Sequence, residues 1–186
     1  MLKNLVIILS SVMAIASGVQ AEVSYSMPSI EVGLKLNSAD LKNASSNKQT
    51  QAFQAGGSTV LNLSSEGAFG VKLGLMYSER AFEAEYPTNT VKGKITYAEV
   101  PVHFMYKLED YVGLYAGPSV AMKMGDSCTN CNLTDIKSMI VPITVGAQFK
   151  FAPTFGLNLF FEVAGTLAKD VESSRGLGAN FMIVLD

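Results

Sequence analysis

Ser29-Ile30-Glu31-Val32-Gly33-Leu34-Lys35-Leu36-Asn37 alternates without a break: Ile30, Val32, Leu34 and Leu36 fall on one face, and Glu31, Gly33, Lys35 and Asn37 on the other. Strict period two over such a length is the signature of a strand with one apolar face. Seven further segments repeat it. Phe53, Ala55, Thr59, Leu61 and Leu63 oppose Gln54, Gly56, Ser58 and Asn62, and Phe69, Val71, Leu73, Leu75 and Tyr77 oppose Gly70, Lys72, Gly74 and Ser78. Ala98 to Tyr106 and Val112 to Met122 set apolar residues against Glu99, His103, Ser119 and Lys123. The last three apolar faces are Met139 to Phe149, Leu157 to Leu167, and Leu177 to Leu185. Each segment is about ten residues, the length with which a tilted strand crosses a bilayer. Their connections also alternate. Short links at Ser64–Gly67, Leu108–Asp110 and Ala152–Thr154 separate longer, more polar ones at Ser38–Gln49, Ala81–Lys92, Gly125–Asp135 and Ala168–Ser174. Short turns on one rim and long loops on the other define an antiparallel up-and-down transmembrane β-barrel of eight strands, short turns facing the periplasm.

The N-terminus has a different character. Lys3 precedes an apolar run from Leu5 to Ala16 and small residues at Val19-Gln20-Ala21, which reads as a secretory signal peptide over residues 1–21, with the barrel domain over 22–186. The run is shorter than the roughly 20 residues a spanning helix needs. The sequence leaves the role of residues 22–28 open between first strand and periplasmic tail. The chain of 186 residues is 48% hydrophobic and 16% charged with a net charge of −2, and losing Lys3 takes it to −3, a balance that disfavours a nucleic-acid partner.

Which face is outside follows from charge. The non-apolar face carries Glu31, Lys35, Lys72, Glu99, His103, Lys123, Lys150 and Glu162, too few charges to solvate the exterior of a soluble barrel. A lipocalin-like periplasmic carrier would need that face outward and the apolar face inward. Lipid outside explains closure as well, because an open sheet edge in hydrocarbon leaves backbone groups unpaired. Phe69, Phe104, Tyr106, Tyr111, Phe149, Phe151 and Phe155 gather near the short-turn rim, where an interfacial girdle is expected.

Several segments carry a resemblance: Gly74-Leu75-Met76-Tyr77-Ser78-Glu79-Arg80, Tyr97-Ala98-Glu99-Val100-Pro101-Val102, Tyr111-Val112-Gly113-Leu114-Tyr115-Ala116-Gly117-Pro118 and Gly176-Leu177-Gly178-Ala179-Asn180-Phe181. The chain resembles the small outer-membrane β-barrel family, the eight-stranded porin-like group of OmpA-like, OmpX-like and PorT-like barrels. The resemblance implies an outer-membrane location in a Gram-negative bacterium, lipid and lipopolysaccharide as surroundings, and the barrel assembly machinery as a partner. The closing strand is similar to an assembly signal, with Gly178, then Phe181 and Ile183 on one face, though it ends in Leu185-Asp186 and not in an aromatic residue.

Chemistry is sparse. An eight-stranded barrel is just wide enough for side chains to fill it, so four Lys and three Glu with His103 read as a mutually paired lumen network that plugs the interior. His103, the only histidine, has no serine beside it in the arrangement that lipid A deacylases use, and we expect no catalytic residues, no metal and no cofactor. Cys128-Thr129-Asn130-Cys131 reads as a disulfide closing a loop tip in an oxidising compartment. Arg80, Glu83, Glu85, Tyr86 and Pro87 in the second long loop offer a contact site for a surface partner. The expected function is a non-enzymatic structural or surface-interaction role through the loops, with a small-solute pore and then the lipocalin-like carrier as alternatives.

Overall fold

A computed structural model describes residues 28–185 apart from 65, 66, 88, 110 and 132; the expected signal peptide and residues 22–27 lie outside the described residues. The strands are β1 (Ser29–Leu41), β2 (Ser46–Lys48), β3 (Thr50–Asn62), β4 (Phe69–Glu85), β5 (Thr90–Glu109), β6 (Val112–Thr129), β7 (Met139–Ile140), β8 (Ile143–Lys150), β9 (Phe155–Ala164) and β10 (Val171–Val184). Eight long strands form the wall in chain order and β1 closes on β10, Ser29 opposite Val184. The two short pieces extend neighbours. β2 continues the line of β3 along the upper part of β4, and β7 continues β8 beyond Pro142, whose carbonyl accepts the Ser119 N–H at 2.9 Å. Every wall pairing is antiparallel, so closure leaves no edge in the membrane.

The faces fall as the alternation predicts. Ile30, Val32, Leu34, Leu75, Phe104, Leu114, Leu159, Leu177 and Phe181 stand outward, with Leu177 61% exposed on a chain that turns Glu31, Lys35 and Lys72 inward at under 5%. A soluble carrier with its apolar face inside is the inverse of this arrangement. Around the short-turn rim the aromatics meet in pairs, Phe69 with Tyr106 at 4.9 Å and Phe155 with Phe181 at 5.7 Å between ring centroids.

The other end departs from expectation. Residues 81–92, read as a loop, are mostly strand: β4 runs to Glu85 and β5 begins at Thr90. Period two continues there with its polarity reversed. Inside the lipid belt β4 turns Lys72 and Ser78 inward and Leu75 and Tyr77 outward; above it Phe82 and Ala84 point in and Glu83 and Glu85 point out. Water has replaced lipid outside, so the apolar face is now the buried one. β1 and β6 extend likewise, to Leu41 and Thr129. The inward apolar residues, Ala39, Leu41, Phe82, Val91, Ile95, Tyr97 and Ile140, join Leu167 and Val171 in an apolar cluster that fills the long end of the barrel. Leu167, expected on the lipid face of the seventh strand, is fully buried in this cluster because β9 ends at Ala164.

Candidate functional site

Beneath the apolar cap lies a charged layer. Its upper half is held by Arg80 of β4, fully buried, which donates to Glu99 at 3.1 Å and pairs with Glu162 at 2.9 Å. Lys35 of β1 donates to Glu162 at 3.2 Å and to the Ser78 hydroxyl at 2.9 Å. In the lower half Lys72 pairs with Glu31 at 2.7 Å, and Glu31 also accepts from Ser58, Asn158 and Asn180. Three cations, Lys35, Lys72 and Arg80, therefore face three carboxylates, Glu31, Glu99 and Glu162, in one neutral set. The arrangement follows from the pleat. Inward positions on β1, β4, β5 and β9 come to one level, and an unpaired charge there would cost several kcal/mol. The space left between these side chains is about 40 Å³, room for a few waters.

Not all of the expected lumen residues meet here. His103 lies beside the layer and makes no ion pair among the described residues: its Nε2 is 3.2 Å from the Ser119 hydroxyl and its ring stacks on Tyr115 at 5.3 Å, while the Lys72 ammonium sits 4.9 Å above the same Tyr115 ring. Lys123 is near the upper rim, half-buried, paired with Asp126 three residues further along β6. Lys150 stands at the short-turn mouth, away from the layer. Conversely Arg80, placed in a loop by sequence, is the hub. The missed signal is the continued alternation Lys72, Ser78, Arg80 on one face, which places Arg80 inward in register with Ser78.

The proposed contact residues are occupied too. Glu83 pairs with Lys92 at 3.0 Å, Glu85 with Lys48, and Glu79 with Lys94 at 2.8 Å, a ladder of opposite charges on the outer wall above the lipid belt. The hydrogen bond to Glu85 raises the Lys48 ammonium above its ordinary pKa. Tyr86 packs on the cap and donates its hydroxyl to the Lys42 carbonyl at 3.0 Å.

Cys128 and Cys131 lie with their Cα atoms 5.6 Å apart, a separation that a disulfide spans, and both rest on the apolar cap. Asn130 between them adopts φ of 59°, the left-handed region that asparagine tolerates. On the closing strand Phe181 and Ile183 share the outward face, and Gly178 faces the lumen beside the Phe160 ring and Lys35. Among the described residues no three His, Cys, Asp or Glu side chains come together as a metal would require.

Comparison with known proteins adds the family. Residues 15–178 match the model of the outer membrane protein β-barrel domain. No curated protein matches the chain in sequence. Among solved structures, the crystal structure of Neisserial surface protein A is similar over 87% of this chain and 99% of its own, at 12% identity and a TM-score of 0.56. Ail, the attachment invasion locus protein of Yersinia pestis, covers 85% of this chain and 99% of its own at 17% identity and a TM-score of 0.47. The outer membrane protein OprG of Pseudomonas aeruginosa covers 89% of this chain and 100% of its own at 9% identity, also with a TM-score of 0.47. The likeness to the Neisserial protein is one of fold.

Proposed function

The chain belongs to the outer membrane protein β-barrel domain family, and from that premise we propose that it is a closed, non-conducting barrel that acts through its outer surface, in holding the envelope together and presenting its long end to partners. The observation that carries this reading is the double closure of the lumen. A neutral set of three ion-paired cations and three carboxylates lies under an apolar cap, and the two layers together support a lumen closed to hydrated solutes. Material of this kind at the long end stiffens a platform.

The associated proposals are these. Residues 1–21 direct export. The short turns face the periplasm and the long end faces outward. Lys48, Lys92 and Lys94, above the lipid belt and exposed on their outer side, meet the phosphates of lipopolysaccharide. Phe181 and Ile183 on the closing strand are read by the barrel assembly machinery, with Gly178 admitting the Phe160 ring behind them. Cys128 and Cys131 form a disulfide that stiffens the loop tip against the cap.

The test uses cells lacking the gene. Loss of the protein should raise sensitivity to detergent, and a variant whose tip residues 86–89 and 133–138 are replaced by Gly and Ser should restore barrel levels without restoring any surface binding that the parent confers. Full rescue of every deletion phenotype by a tip-replaced barrel would remove the surface role.

A further inference from the structure

The short-turn end of the barrel is built unlike the rest of the lumen. Below Glu31 and Ser58 the interior opens into a cavity of about 300 Å³. Its walls are Ser29, Val60, Val112, Gln148 and Val184, and its floor is formed by two methionines. Each methionine lies across a glycine: a Cβ at Gly113 would strike the Met105 methyl, and one at Gly156 would strike that of Met182. The thioethers are therefore laid down by missing side chains opposite them, in a place where a larger residue would have filled the mouth. Methionine makes an adaptable apolar surface, suited to side chains of varied shape.

The rim supplies charge of both signs. Lys107 is held by the Asn62 side-chain oxygen at 2.8 Å, whereas the Lys150 ammonium and the Glu109 carboxylate both line the opening and have no ion-pair partner among the described residues. Deeper in the lumen Lys35, Lys72 and Arg80 are all matched, whereas at the mouth Lys150 is half-buried and Glu109 exposed. A cation and an anion without ion-pair partners among the described residues, at the ends of the two strands that flank β6 and beside an apolar floor, recognise a molecule that carries a carboxylate, an ammonium and an apolar group. The volume falls at the lower end of the range of small-molecule sites and suits one or two amino-acid residues.

We propose that this mouth is a binding site for short zwitterionic peptides, the ligand carboxylate meeting Lys150, its ammonium meeting Glu109, and an apolar side chain resting on Met105 and Met182. The compartment it samples, the periplasm, rests on the orientation proposed above; the binding itself does not. The cavity ends at the charged layer, so the site is a cup and not an entrance.

The experiment uses barrel refolded in detergent micelles with ¹³C-methyl methionine, titrated with the dipeptide alanyl-leucine. The expected result is saturable movement of the Met105 and Met182 methyl signals, with outward-facing Met124 and Met139 unmoved. Lys150→Gln, Glu109→Gln and the doubly capped N-acetyl dipeptide amide should each weaken binding about tenfold, the loss of one charge-assisted contact. Both substitutions are at the rim, and a heat-dependent gel shift confirms that each variant folds. No saturable movement, equal binding of the capped peptide, or movement of Met124 and Met139 alone would each overturn the proposal. A conducting barrel that still bound the dipeptide would refute the closed lumen and leave this site standing.

Discussion

Replacing Arg80 by methionine isolates the energetic centre of the lumen. The guanidinium is fully buried between Glu99 at 3.1 Å and Glu162 at 2.9 Å, and lies 5.1 Å over the Tyr97 ring. Methionine keeps much of the volume and removes the charge. Glu162 retains Lys35, but Glu99 loses its one close ion-pair partner among the described residues and keeps only the more distant Lys35, so one buried carboxylate is left poorly compensated. Breaking a buried pair in this way costs about 3–5 kcal/mol, a large share of the roughly 5–15 kcal/mol that holds a typical domain together. Adding Glu99→Gln to Arg80→Met removes the orphan charge, and the double variant should regain most of the loss. The assay is urea unfolding in phospholipid vesicles, followed by circular dichroism and by the fraction of heat-shifted barrel on a gel, since the chain contains no Trp. A loss below about 1 kcal/mol for the single variant, or a double variant no more stable than the single, would refute the pairing of this layer as the source of its stability.

On the outer wall, Leu75→Arg puts a charge at a position 60% exposed within the apolar belt and should cost about 2–4 kcal/mol in vesicles, against little for the same change at Thr96 above the belt; equal costs at both positions would contradict the placement of the lipid boundary. Alkylation of native protein without reductant should leave Cys128 and Cys131 unlabelled, and Cys128→Ser with Cys131→Ser should lower stability by no more than about 2 kcal/mol, the loop being only four residues long; full labelling of both thiols would remove the staple.

The membrane part of the fold was legible because lipid imposes one rule on every strand. Ile30 to Leu36 and Phe69 to Tyr77 face outward as their alternation demands, and Glu31, Lys35, Lys72, Glu99 and Glu162 face inward together. Where the solvent changes, the rule inverts. Phe82-Glu83-Ala84-Glu85 still alternates, but a reader following one polarity sees the pattern stop at Tyr77 and writes a loop. That single misreading both hid the apolar cap and sent Arg80 to the surface. Lys123 and Lys150 were misassigned for a related reason: they share the inward face of their strands, but position along the barrel axis, which depends on register and strand stagger, is not carried by alternation. Loop-borne contributions such as Leu167, drawn into the cap through the Lys137 N–H to Leu167 carbonyl bond at 2.8 Å, leave no periodic trace at all.

Single-channel recording on refolded protein in planar bilayers tests the closed lumen most directly. The account predicts a silent membrane for the parent barrel, with current appearing only when both layers are opened, as in Phe82→Ala combined with Arg80→Ala and Glu162→Ala. Stable conductance steps from the parent protein, altered by substitution of Lys72 or Glu99, would contradict it and make the barrel a small-solute pore.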